Sequence, residues 1–440
     1  MSFAEFTVTN PILSDRRSPV RWVLSHLLHN KLLILVMVVG AFGNAALAAA
    51  TPVFVGRAFD SAEASNLRGI GLAAIGIMLA QLLRAVLQFG RNASSATLGE
   101  RLERDTRQEL YVSLLGKSMT FHYLQPVGDT MARATGDVRE MNLMVYPGIN
   151  LIIGSANFIL MPLILAPNYH PQLLFAPLFF TITYALALVF YLRTLSPIAD
   201  DVRGAFGKLN SRLAEAIDGI ETVKGAAQEQ QEINLFRKLA TAYRNRVVAQ
   251  GRVEAWYLPL LLLGITVALA FAHAVWLFLQ PDSALTVGDV VAYVGLISLF
   301  GFPTFVSLFA YSAVARGMAS GRRILGLIET KTELDQNSGG KSGEIFGRIE
   351  FNNVSAGYLP DTNVLENISF NVEAGQTIAI VGQTGAGKSS LVKLLNRTYD
   401  VRIGSVKIDG HDVRDWDLAA LRQQISIIEQ DIFLFSRSIA

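Results

Sequence analysis

The sequence predicts a polytopic α-helical membrane domain, six transmembrane helices with long cytosolic extensions, followed by the N-terminal part of an α/β P-loop domain. Three observations predict it. Six apolar runs are each close to the roughly 20 residues that a bilayer core demands. The long stretches between some of them keep helical periodicity while turning polar. Near the end, "TIAIVGQTGAGKSSLVKLL" (Thr377–Leu395) reads as a strand, a glycine loop and a helix.

Composition agrees. Apolar residues make up 51% of the chain and charged residues 17%, with a mean hydropathy of +0.37, whereas a soluble domain carries about 25% charge. A formal net charge of +2 leaves no basic excess for neutralising a phosphate backbone, so nucleic acid is not an expected partner. The absence of cysteine rules out disulfides and thiolate metal sites.

The apolar runs cover about Lys31–Phe54, Ile70–Phe89, Leu143–Ala166, Leu173–Leu192, Trp256–Leu279 and Val290–Tyr311, with "PNYHP" as the turn between the third and fourth. Seven positive residues, Arg91 to Arg139, lie between the second and third runs, and ten, Arg193 to Arg252, between the fourth and fifth. The opposite loops hold only Arg57 and Arg68. Positive residues stay inside, so the N-terminus, with Arg16, Arg17, Arg21 and Lys31, is expected in the cytosol. The first run lacks a small-residue cleavage site after a short core and reads as an anchor.

The two inner stretches are helical arms. "SSATLGERLERDTRQELYVSLLGKSM" places Leu98, Leu102, Leu110, Leu114 and Leu115 on an amphipathic pattern. Joined to the second run it makes some 50 helical residues, roughly 75 Å long, of which about 30 Å crosses hydrocarbon. Leu213–Asn245 repeats the pattern before the fifth run. The expected organisation is a cytosolic segment over 1–30, a membrane domain over 31–328, a polar glycine-rich linker over 329–347 and a partial α/β domain over 348–440.

Gly382-Gln383-Thr384-Gly385-Ala386-Gly387-Lys388-Ser389 matches G-x-x-x-x-G-K-[ST]. Glycines let the backbone wrap phosphates with N–H groups inward. The helix starting near Lys388 adds the positive end of its dipole. Lys388 is placed to reach the β- and γ-phosphates and the Ser389 hydroxyl to ligate Mg²⁺; Ser390 is counted with this loop among the nucleotide-binding residues. Asp409-Gly410-His411 reads as a hairpin turn.

A phosphate loop behind six spans with long inner arms resembles the ATP-binding cassette (ABC) exporters. "FHYLQPVGDTMARATGDVREM" (Phe121–Met141) and "LAEAIDGIETVKGAAQEQQEINLF" (Leu213–Phe236) are similar to the family's first and second inner-loop patterns. "LTVGDVVAYVGLISLFGFP" resembles the entry to the sixth span and "ASGRRILGLIE" its exit. The resemblance implies that Tyr358, in "IEFNNVSAGYLP", stacks on adenine, although Ala356 stands where the family often has another aromatic. It implies that Gln430, in "ISIIEQDIFLF", contacts Mg²⁺ and faces the membrane domain. ATP and Mg²⁺ are the implied cofactors. A second copy or a related half-transporter is the implied partner, because the family sandwiches each ATP between two cassettes.

The resemblance also implies a Leu-Ser-Gly-Gly-Gln signature, an apolar strand ending in aspartate and the catalytic glutamate, and a switch histidine, all after the glutamine loop. None occurs before Ala440, and "FSRSIA" breaks off inside a family motif, so the chain is expected to be a fragment of a longer gene. It supplies a phosphate cradle and part of a Mg²⁺ site but no general base. Two functions stay open: ATP-driven export from a bacterial inner membrane by a full-length ATPase, or a membrane regulator or nucleotide-gated pore that binds ATP without hydrolysing it. The substrate is not legible. Asn44, Gln81, Arg84, Asn157 and His273 are the polar candidates within spans.

Overall fold

The computed structural model describes residues 4–6, 14–332, 334–359 and 362–430. It divides into two compact units. One takes Met1–Lys31, Thr97–Val145 and Ala313–Ala440; the other takes Leu32–Ala96 and Tyr146–Ser312.

Thirteen α-helices precede the first strand among the described residues: α1 (Pro19–Leu28), α2 (Lys31–Glu63), α3 (Leu67–Leu115), α4 (Met119–Leu124), α5 (Val127–Ala132), α6 (Val138–Leu143), α7 (Asn150–Leu165), α8 (Phe175–Asp218), α9 (Ile220–Gly225), α10 (Glu229–Ala255), α11 (Leu258–Phe278), α12 (Val287–Ser298) and α13 (Gly301–Glu329). Among the described residues six helical stretches are long and apolar enough to cross a membrane, one for each of the apolar runs. The 49 residues of α3 run unbroken, as the amphipathic pattern predicts.

Two expectations change in detail. Leu213–Asn245 is not one arm: α8 ends at Asp218, α9 makes the tip and α10 returns antiparallel to α8. Gly219 supplies the break after α8, and Ala227 takes a positive φ of 52° before α10. Across this hairpin Arg212 pairs with Glu232 and Arg246 with Asp201. The third run does not start as a regular helix either. Residues Met144–Ile149 form a π-helical turn with Tyr146 at φ −127°, ψ 112°, because Pro147 lacks the N–H that would continue the α ladder.

Small residues set the packing of the membrane unit. The buried face of α2 carries Gly40, Ala41, Asn44, Ala45, Ala48, Ala49 and Gly56, which lets neighbouring backbones come close. Gly56 and Gly288 face each other so tightly that a Cβ on Gly56 would lie 2.3 Å from the Gly288 carbonyl oxygen. Asp60 pins the same crossing by accepting from Thr286 Oγ1 at 3.0 Å and the Gly288 N–H at 2.8 Å. Thr286 and Asp289 form a reciprocal capping box at the start of α12. Phe180, Tyr293, Ile297 and Phe300 fill the core between α8, α11 and α12.

The α/β part is a four-stranded antiparallel sheet in the order β2-β1-β3-β4, built from β1 (Ile349–Ala356), β2 (Leu365–Val372), β3 (Ile403–Ile408) and β4 (His411–Asp412). Phe351 pairs with Phe370 across β1–β2 and with Val406 across β1–β3. Those residues, with Trp416 and Leu421, make the core onto which α14 (Lys388–Leu395) packs Leu391 and Leu394; α15 (Leu418–Gln423) follows. The expected strand over 377–381 is absent: these residues have no regular structure and Val381 is 88% exposed. Such an apolar run reads as a sheet-centre strand, but a strand needs a main-chain neighbour. Among the described residues the four strands pair only with one another.

Candidate functional site: a phosphate loop and a polar membrane cavity

The loop leading into α14 is shaped by two left-handed glycines, Gly385 at φ +86° and Gly387 at φ +87°. The Ala386 N–H closes a turn onto the Gln383 carbonyl at 3.2 Å. Lys388 begins α14, and its Nζ donates to the carbonyls of Gly382 and Gln383, both at 2.9 Å. The ammonium therefore sits over the loop at the positive end of the helix, where anionic oxygens are favoured. A Cβ on Gly387 would meet Leu365 Cδ2 at 2.8 Å and the Val364 carbonyl at 3.2 Å, so the backbone is held against β2. These donors and this close backbone fit a nucleotide's phosphates. The Ser389 side chain is exposed beside them, and its hydroxyl would be open to a metal ion.

Tyr358 follows β1 and reaches the same helix: its hydroxyl lies 2.6 Å from Ser390 Oγ. Its ring meets Tyr399 edge-on at 4.8 Å and tilts against Tyr123 of α4 at 5.5 Å. Burial, then the neighbouring phenols, push the Tyr399 hydroxyl's pKa up, so it stays a neutral donor. Tyr123 and Tyr399 are additions to the site that the sequence did not single out. Tyr123 sits inside the "FHYLQPVGD" pattern, but only folding reveals its neighbour. Gln430 is exposed and, among the described residues, makes no hydrogen bond to the loop; the preceding Glu429 lies 3.9 Å from Lys393 of α14. The structure thus brings Tyr358, Ser390 and the loop together and leaves Gln430 at the edge. The turn itself is Asp409-Gly410, and His411 is the first residue of β4.

In the membrane unit, Asn44, Gln81 and Arg84 line a cavity of about 440 Å³. Asn157 and His273 do not. Asn157 donates to the Ile153 carbonyl one turn back at 2.8 Å, and His273 stacks on Trp276 at 6.1 Å. Arg91, counted from sequence among the positive residues of an inner loop, is instead buried at 2% exposure and lines the same cavity.

Family models match both parts of the chain: "ABC transporter transmembrane region" over residues 34–304 and "ABC transporter" over 365–440. The chain is 28% identical over 369 residues to the "Uncharacterized ABC transporter ATP-binding protein YknU" of Bacillus subtilis (strain 168), covering 83% of this chain and 63% of that protein. It is 28% identical over 367 residues to a Staphylococcus aureus (strain NCTC 8325) protein named, provisionally, a "multidrug export ATP-binding/permease protein", covering 83% and 64%. The chain thus spans less than two thirds of these relatives' length. A solved bacterial Atm1-family ABC exporter with ATP bound shares the fold, with a TM-score of 0.67 and 24% identity over 88% of this chain and 69% of that one. With six membrane-crossing helices and both family regions in one polypeptide, this integral membrane protein belongs to the ABC transporter family.

Proposed function

We propose that the full-length protein is an ATP-driven exporter and that this chain carries its membrane domain and the nucleotide-cradling part of its cassette. The observation that carries this reading is the loop Gly382–Ser389, with Lys388 folded over two left-handed glycines, in one chain with six apolar spans. The N-terminus and cassette face the cytosol, on the positive-inside bias, in a bacterial inner membrane. Residues 329–347 link the membrane domain to the cassette.

Bound Mg·ATP supplies the phosphoanhydride whose cleavage drives the cycle. The protein's own contributions are binding and orientation. The glycine-loop N–H groups and the Lys388 ammonium hold the β/γ-phosphates, and Tyr358 offers a ring to the base. Ser389 and Gln430 would offer their side-chain oxygens to Mg²⁺. The catalytic glutamate and the signature that complete hydrolysis in the family are not among these 440 residues.

Lys388→Ala tests the reading in the full-length protein. It removes the point charge while leaving the glycine backbone able to form. ATP hydrolysis and ATP-driven efflux are expected to collapse together with the fold retained by thermal unfolding. Unchanged ATPase kinetics would remove this loop from the mechanism.

A further inference from the structure

The membrane cavity pairs two positive charges with no negative one. Arg91 is 2% exposed, and its partners are neutral: Nε donates to Asn150 Oδ1 at 2.7 Å and Nη2 to the Asn150 carbonyl at 2.5 Å. Asn150 Nδ2 in turn donates to Asn92 Oδ1 at 3.2 Å, which also accepts from Gln88 Nε2 at 3.2 Å. Arg84, seven residues before Arg91 on α3, lies on the same helix face about 10 Å away along the axis. It lines the cavity without a hydrogen bond or ion pair among the described residues.

Among the described residues no acidic one lines this cavity, and none occurs between Glu63 and Glu100 in the sequence. An arginine stays charged in proteins. A buried charge without a counterion is costly in a membrane, and such residues mark substrate paths. Nor is Arg91 a side chain that merely failed to reach water. It is seated between two glycines: a Cβ on Gly154 would come within 2.5 Å of Arg91 Nη2, and one on Gly40 within 3.0 Å of Arg91 Cβ. The packing is shaped to keep the guanidinium inside. Phe158 and Phe302 also line the cavity, their rings 4.8 Å apart.

We propose that this cavity binds a carboxylate- or phosphate-bearing substrate with an apolar body, its anion held by Arg84 and Arg91 and its body by Phe158 and Phe302. This deepens the export reading and rests on it. A volume of about 440 Å³ lies in the range of small-molecule sites. Arg84 and Arg91 sit about 26 and 36 Å along α3 from its start at Leu67. That is the end of the span away from the α2–α3 turn, which the proposed orientation places toward the cytosol. The anion, entering there from the cytosol or from the inner leaflet, supplies the missing countercharge, whereas a cation would meet two guanidiniums.

The test is binding, which needs no ATP turnover. The full-length protein in phosphatidylcholine nanodiscs is titrated with carboxyfluorescein and, separately, with rhodamine 123, an anionic and a cationic dye sharing one ring system, by fluorescence anisotropy. Carboxyfluorescein is expected to bind at least tenfold tighter than rhodamine 123. Arg84→Gln should weaken it at least tenfold and Arg84→Lys should recover most of that loss. Phenyl phosphate in solution and phosphatidic acid in the nanodisc then compete: displacement by the first identifies a soluble anion as the source, and by the second a lipid headgroup. Equal or tighter rhodamine 123 binding, or carboxyfluorescein affinity unchanged in Arg84→Gln, overturns the proposal. Intact Arg84-dependent binding in a protein without ATP-driven transport would instead sink the export reading alone.

Discussion

Gly385 and Gly387 both hold left-handed backbone, yet they should not tolerate the same change. A Cβ at Gly385 meets nothing within 4 Å, so Gly385→Ala carries only the cost of the left-handed conformation, about 1–2 kcal/mol. A Cβ at Gly387 adds the contacts with Leu365 and the Val364 carbonyl, and backbone cannot yield as a side-chain end can. Gly387→Ala is therefore expected to lower both the unfolding temperature and ATP affinity more than Gly385→Ala, by thermal shift and nucleotide titration; the reverse order would mean the loop is not seated on β2. Tyr358 separates two contributions in the same way. Tyr358→Phe loses the bond to Ser390, about 1 kcal/mol, while Tyr358→Ala also removes the ring, a further loss of about 1–3 kcal/mol if base–aromatic stacking applies. Comparable ATP affinities for the two variants would argue that the ring does not meet the base. The loop was legible because its spacing is set by one local contact geometry. Tyr399 and Tyr123 were not, because stacking partners more than forty residues apart in sequence leave no periodic trace.

At the scale of elements, α1 is fastened to α3 by a single buried carboxylate. Glu109 accepts from Ser14 Oγ at 2.7 Å, Trp22 Nε1 at 3.0 Å, His26 Nε2 at 2.8 Å and Arg16 Nε at 2.8 Å. Its side chain is 4% exposed and that of His26 1%. Removing one partner of such a buried cluster strands the rest, at a cost of about 3–5 kcal/mol. Glu109→Ala is expected to free α1, seen as faster tryptic cleavage at Arg16, Arg17 and Arg21 with a lower unfolding temperature; cleavage at the wild-type rate would show that α1 is held by its Trp22 and Val23 packing instead. The sequence showed this part of α3 as an amphipathic arm but gave no sign of the latch, since a glutamate every few residues is ordinary on a solvated helix. The six spans were legible because a bilayer imposes length and apolarity together. The α8–α10 hairpin was blurred for the opposite reason: both arms and the tip are polar helix, and only Gly219 and a positive φ at Ala227 mark the reversal. The strand over 377–381 was overread because an apolar run reports burial preference, while strand formation depends on a neighbour elsewhere in the chain.

For the whole molecule, one phosphate loop and six spans without an internal repeat argue for pairing. Family cassettes close on ATP from two sides, so a single cassette presents only half of each site. We therefore expect the full-length protein to work as two copies, or one copy with a related partner, giving twelve spans. Native mass measurement in nanodiscs, alongside transport by the same preparation, reads this directly. The expected result is twice the protomer mass in the transporting fraction. Mixing offers a sharper reading than mass alone. When wild-type chains are combined with Lys388→Ala chains in rising proportion, a cycle needing both loops should lose activity as the square of the wild-type fraction. A linear decline would mean that each loop drives transport alone, and a single protomer that transports would end the paired mechanism.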